Sequence, residues 1–131
     1  MIEVSAGIIC VGPKILCLQR RESKYPYISH KYEFPGGKIE SGEKPIEALV
    51  RELSEELKVD TSNCDIESFC VTEHNYPDFS VKLHFFIVKA KSFDYILTEH
   101  INARWLTVEE LDDVDWAEAD KAAVGRLKGI L

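Results

Sequence analysis

Gly37-Lys38-Ile39-Glu40-Ser41-Gly42-Glu43-Lys44-Pro45-Ile46-Glu47-Ala48-Leu49-Val50-Arg51-Glu52-Leu53-Ser54-Glu55-Glu56-Leu57-Lys58-Val59 joins a glycine turn to the clearest helical pattern in the chain. The spacing predicts a helix over 44–57, with Pro45 tolerated in its first turn. At about 100° per residue, Ile46, Leu49, Val50, Leu53 and Leu57 fall in one apolar stripe. Glu52, Glu55 and Glu56 lie opposite, three and four residues apart, so they share a face. Carboxylates that close repel one another and raise one another's pKa, and Lys58 at the helix end is the one lysine nearby. A solvated outer face would read the same way, but the preceding segment points elsewhere. Pro35-Gly36-Gly37 is a sharp break that can bring an exposed carbonyl close to a ligand, and Lys38 follows it. A hard divalent cation with oxygen ligands and a phosphate group would suit both halves of the stretch.

Outward from this segment, residues 2–11 and 14–20 are apolar and β-branched around Gly12-Pro13, which predicts a hairpin. Arg20 and Arg21 close its second strand, where forked donors can reach phosphates. Residues 21–31 are polar and aromatic without a period and read as a surface loop. A short strand over 32–34 leads into the glycine turn. Toward the C-terminus, 66–73 and 80–89 read as strands joined around Tyr76-Pro77-Asp78, and 103–106 as another. Thr107-Val108-Glu109-Glu110 has capping-box spacing for a short helix, and a last helix is predicted over 117–127. The element order predicts a mixed sheet with helices laid against it.

A chain of 131 residues accommodates one domain and one core. Apolar residues at 45% with 30% charged residues disfavour disorder and membrane spanning. The net charge of -7 has the wrong sign for nonspecific grip on a nucleic-acid polymer, so an anionic substrate needs a local cluster of cations or a metal. The N-terminus shows no basic leader, and Ile8-Ile9-Cys10-Val11 is too short for a signal core, which predicts a cytoplasmic protein. Cys10, Cys17, Cys64 and Cys70 form no Cys-x-x-Cys pair and read as reduced, mostly buried thiols. His30, His74, His84 and His100 show no ligand spacing and receive no role.

Gly37, five residues, Glu43, seven residues and then Arg51-Glu52-Leu53-Ser54-Glu55-Glu56-Leu57-Lys58-Val59 resembles the Nudix box of MutT-like hydrolases. Lys58 stands where that family has glycine. The likeness extends to Gly7-Ile8-Ile9, Arg20-Arg21, the Glu33-Phe34-Pro35-Gly36-Gly37 lead-in, and Glu99 ahead of Trp105. It implies an α+β fold, an α/β/α sandwich with a mixed sheet between the box helix and C-terminal helices, over residues 1–131 as a single domain.

The same resemblance implies Mg²⁺ or Mn²⁺ held by the Gly37 carbonyl with Glu52, Glu55 and Glu56. Glu99 would contribute to metal binding or water activation, and Glu52 or Glu99 would be the general base. Arg51 would orient the box by pairing with a glutamate such as Glu43. Arg21 foremost, with Arg20 and Lys38, would meet the phosphates, while Phe34 could pack on a nucleobase or belong to the core. Asp120 aligns with the family's base-reading position, and as an ionised acceptor it would suit an amino-bearing edge.

The implied reaction is hydrolysis of nucleoside triphosphates, including oxidised or noncognate ones, to monophosphate and pyrophosphate by a monomer or homodimer. Of the substrate types in the family, 8-oxo-dGTP and CTP are those implied. Two alternatives stay open: hydrolysis of nucleoside diphosphate conjugates such as ADP-ribose or dinucleoside polyphosphates, and a noncatalytic nucleotide sensor. The compact chain weighs against the first, and the intact glutamates against the second.

Overall fold

The computed structural model describes residues 1–130, which lie within the single domain expected over 1–131. Seven strands form one sheet: β1 (Ile2–Val11), β2 (Lys14–Gln19), β3 (Tyr32–Glu33), β4 (Gly36–Lys38), β5 (Asp65–Asn75), β6 (Ser80–Lys89) and β7 (Asn102–Leu106). Helices α1 (Pro45–Leu57) and α2 (Glu118–Ile130) and a 3₁₀ turn (Val108–Asp113) complete it. Its main path runs β3-β2-β1-β6-β5, with β4 added beside β1 and β7 beside β2. Only β1 and β6 pair in parallel, so the sheet is mixed.

Strand parity sorts the core into two layers. Ala6 and Ile8 of β1, Ile15 and Cys17 of β2, and Leu83 and Phe85 of β6 face Trp116, Ala123 and Leu127 on the α2 side. Their neighbours Ile9, Leu16, Leu18, Phe86 and Val88 face Leu49, Leu53 and Leu57 of α1. The three leucines are fully buried, each contributing roughly 1.5–3 kcal/mol by leaving water. This is the α/β/α sandwich expected from the sequence. No described helix is long and apolar enough to cross a membrane.

Three local readings change. Ile46 and Val50 are 40% and 41% exposed, because only the stripe continued by Leu49, Leu53 and Leu57 meets the sheet. The glycine break does more than turn, since Gly36–Lys38 pairs with Val4, Ser5 and Ala6 as an extra strand. Only Cys17 among the cysteines is buried, and burial pushes its thiol up to about 12. Elsewhere Glu110 accepts from the Thr107 backbone N–H at 2.9 Å, closing the first turn of the 3₁₀ segment.

Lys58 caps α1 in the left-handed conformation, φ 57° and ψ 39°, and its N–H reaches the Ser54 carbonyl at 3.1 Å. A side chain there costs about 1–2 kcal/mol, partly offset by the greater unfolded-state freedom of glycine. Lys58→Gly therefore stabilises by about 0.5–1 kcal/mol. A urea titration reads this as a raised midpoint at unchanged slope.

Candidate active site

The glycine strand and α1 meet through Arg51. Its Nε and Nη2 grip both oxygens of Glu43 at 2.7 and 3.0 Å, and Nη2 also donates to the Lys38 carbonyl at 2.9 Å. Nη1 donates to Glu52 at 2.9 Å and to Glu55 at 3.2 Å. One guanidinium thus binds the turn to the helix, and it holds the Glu43 carboxyl below the usual carboxylate range. Gly37 lies against the Glu52 carboxylate so closely that an added Cβ would sit 2.3–2.6 Å from its carboxyl atoms.

Glu56 differs from its neighbours. Its side chain is about as exposed as that of Glu52, 15% against 17%, but its Oε1 is buried without a hydrogen-bond partner. Burial pushes its carboxyl up to about 7; nearby His100 opposes the shift, while Glu33, Glu52 and Glu99 add to it. Glu56 opens into a cavity of about 660 Å³ that is also lined by Arg20, Arg21, Phe34, Gly37, Lys38, Glu99 and Asp120. Arg20, Arg21, Lys24 and Lys38 put four cations around this hollow in a chain of net charge -7. Glu52 and Glu55 stay on Arg51 outside the lining, with Glu55 62% exposed. Among the described residues no three His, Cys, Asp or Glu side chains converge on one point as they stand.

Phe34 is 3% exposed and packs on Trp116 at 4.6 Å between centroids, so it is a core residue that also forms cavity wall. Asp120 is 4% exposed in the first turn of α2. Burial first, then the nearby Glu33 charge, raises its pKa well above the ordinary value, and a Phe34 backbone donor and Arg20 offset this only in part. Burial thus disfavours the ionised form of the Asp120 carboxyl on which the sequence reading relies.

Sequence reasoning passed over Glu33, His100 and an aromatic wall. Glu33 bridges Arg20 Nη1 at 3.1 Å and His100 Nε2 at 2.9 Å. Strand parity held the signal for Glu33, because a residue beside inward Phe34 must face the α1 side. Nothing comparable marked His100, which sits in an aperiodic loop. Tyr25 and Phe79 line the cavity 5.3 Å apart, brought there by the 21–31 loop and the β5–β6 turn. A second hollow of about 770 Å³ beyond the end of α1, lined by Asp60, Asn63, Lys89 and Lys91 among others, holds none of the candidate residues.

This architecture, with a glycine strand clamped by arginine to an acidic helix at the edge of a cavity lined by both cations and carboxylates, matches the NUDIX domain over residues 1–127, and the chain belongs to that family. Among known proteins it is similar to the 8-oxo-dGTP diphosphatase of Escherichia coli (strain K12), 30% identical over 127 residues, or 97% of this chain and 96% of the relative. A Proteus vulgaris protein of the same name is 36% identical over 87 residues, covering 66% of this chain and 75% of the relative. The solution structure of the E. coli ORF135 protein superposes with a TM-score of 0.81 at 31% identity, covering 99% of this chain and 90% of that one.

Proposed function

We propose that this Nudix hydrolase cleaves nucleoside triphosphates, oxidised or noncognate ones among them, to nucleoside monophosphate and pyrophosphate, and so cleans the nucleotide pool. The observation that carries the reading is the shared cavity: the acidic helix, the glycine turn, the arginine pair and the buried Asp120 all open into one hollow. Its relatives named 8-oxo-dGTP diphosphatase support the triphosphate class. The enzyme works as a single cytoplasmic domain on free nucleotides.

The donor set fits a hard divalent cation. Glu56 offers a buried oxygen without a partner amid surplus negative charge, and the Gly37 backbone abuts Glu52. Glu56, Glu52, Glu55 and the Gly37 carbonyl would hold Mg²⁺ or Mn²⁺, with Glu99 alongside. When bound, the cation supplies charge neutralisation on the phosphate oxygens and eases formation of a nucleophile from water. Arg21, Arg20 and Lys38 draw the phosphate chain into the cavity and orient it. Arg51 keeps turn and helix in register. Glu99 lines the cavity and has no ion pair among the described residues, so it is free to take the proton of the attacking water, whereas Glu52 is engaged by Arg51. Water adds to phosphorus, one P–O anhydride bond breaks, and pyrophosphate leaves.

Product analysis with Mg²⁺ over a panel of normal and oxidised triphosphates, ADP-ribose and a dinucleoside polyphosphate tests this. Monophosphate plus pyrophosphate from a subset of triphosphates is expected. Turnover of the conjugates alone would defeat the reading, as would binding without turnover.

With burial favouring its protonated form, Asp120 would pair with a base edge that presents one donor next to one acceptor. Asp120→Asn keeps that pairing and retains base preference, while Asp120→Ala lowers kcat/KM for the preferred base about tenfold more than for the others. The variants also separate by pH. Because its pKa is raised in the folded protein, Asp120 makes a contribution to stability that falls as pH rises above the ordinary carboxylate range. Asp120→Asn removes that loss, and its melting temperature gains on the wild type as pH rises above the ordinary carboxylate range. Equal slopes for the two proteins would refute the raised pKa of Asp120.

A further inference from the structure

His100 is the most enclosed charged or polar side chain at the acidic edge of the cavity that the hydrolytic reading leaves unused. Its side chain is 4% exposed. Nε2 is bonded to Glu33 Oε2 at 2.9 Å, and the other oxygen of Glu33 takes Arg20 Nη1 at 3.1 Å. On the opposite side of the ring, Nδ1 faces Glu56 Oε1 at 3.8 Å, beyond hydrogen bonding, and neither atom has a hydrogen-bond partner. The loop is pinned at both flanks: Thr98 Oγ1 donates to the Glu56 carbonyl at 2.6 Å, and the Ile101 N–H donates to the Gln19 carbonyl at 3.0 Å. The ring therefore stands between the helix that carries the carboxylates and the strand end that carries the arginine.

We propose that His100 is a positioning residue with two arms, one acting through Glu33 to aim Arg20 at the phosphate chain, the other setting the side chain of Glu56. The inference rests on the hydrolase reading for what each arm serves, though its geometry is independent of any substrate. A carboxylate that receives a guanidinium on one oxygen and an imidazole on the other is fixed in orientation, and its arginine partner with it. Outer partners that orient metal ligands are worth about 10–100-fold in metal affinity or activity elsewhere.

His100→Ala and His100→Gln distinguish the arms. Glutamine carries an N–H near the Nε2 position and nothing at the Nδ1 position, so it restores the Glu33 arm alone. The probes are inorganic pyrophosphate and Mn²⁺, each titrated calorimetrically into the intact protein, with melting temperatures taken alongside. His100→Ala is expected to weaken both affinities about tenfold, while His100→Gln recovers the pyrophosphate affinity and leaves Mn²⁺ weak. A purely structural histidine would lower the melting temperature without that split, and His100→Gln decides the matter if His100→Ala fails to fold. Wild-type affinities for both probes in either folded variant overturn the proposal. So do equal losses of both in His100→Gln, or a wild-type protein that takes up neither probe. Affinities that split as stated in a protein that hydrolyses no triphosphate defeat the hydrolase reading and leave this one standing.

Discussion

Glu56→Gln abolishes most turnover, by about 10³-fold or more, and at the same time makes the metal-free protein more stable above pH 7. The loss in rate follows from removing the charge of the one glutamate of the acidic helix that opens into the cavity with an oxygen free of hydrogen bonds. The gain in stability follows from its titration. Native Glu56 binds its proton up to about pH 7, whereas an unfolded glutamate releases it near 4.5. Between those values the native state holds more protons than the unfolded one, so stability declines as pH rises, and the decline is complete above pH 7. A gap of that size corresponds to about 3 kcal/mol, an amount Glu56→Gln recovers at pH 8 and not at pH 4. Adding Mg²⁺ reverses the comparison, because binding to the native state raises the wild-type melting temperature and leaves the variant behind. Thermal melts of both proteins at pH 4 and pH 8, with and without Mg²⁺, together with a pyrophosphate-release assay, check all three outcomes. Turnover surviving in the variant would remove Glu56 from the mechanism.

Alanine at Gly36 and alanine at Gly37 should fail in opposite ways. A Cβ on Gly36 would lie 1.9 Å from the Ser5 carbonyl oxygen, 2.8 Å from Ala6 Cα and 2.9 Å from the Ser5 carbonyl carbon. All three atoms are backbone of central strand β1, which is paired on both sides and cannot give way. β4 must therefore separate from β1, and a penalty of about 3–5 kcal/mol would remove much of the stability of a domain this size. Gly36→Ala is expected as poorly soluble protein without a cooperative melt. At Gly37 the obstacle is the carboxylate of Glu52, the far end of a flexible side chain, at 2.3–2.6 Å. Glu52 swings aside, the fold survives, and the displaced carboxylate costs about 10²-fold in kcat. Circular dichroism melts beside kinetics separate the two, and a folded, active Gly36→Ala protein would contradict the packing described for β4.

Much of the fold was legible because it depends on local patterning. The hairpin at Gly12-Pro13, the acidic helix with Leu49, Leu53 and Leu57 inward, the β5–β6 pair and the capping box at Thr107 each follow from period and turn chemistry within a few residues. Ile46 and Val50 escaped because a stripe shows which side of a helix is apolar and not how far the sheet beneath it reaches. Lys58 marks a milder limit: in place of the family glycine it still adopts the left-handed cap, so one strained residue left the turn intact.

The candidate site divides along the same line. By itself the sequence determined that three glutamates share a helix face next to a glycine turn, that Arg51 stands one helical turn from Glu55, and that the chain is a Nudix protein. These are facts of spacing, and spacing survives without knowledge of what packs against what. Only the tertiary structure decided that Glu56 is the member of the three that opens into the cavity with an oxygen left without a partner, that burial raises the pKa of Asp120, and that Glu33 and His100 join Arg20 to the acidic helix. Each of those depends on segments far apart in the chain closing over one another, since burial, lost solvation and the charges brought alongside are properties of the closed cavity and of no single stretch.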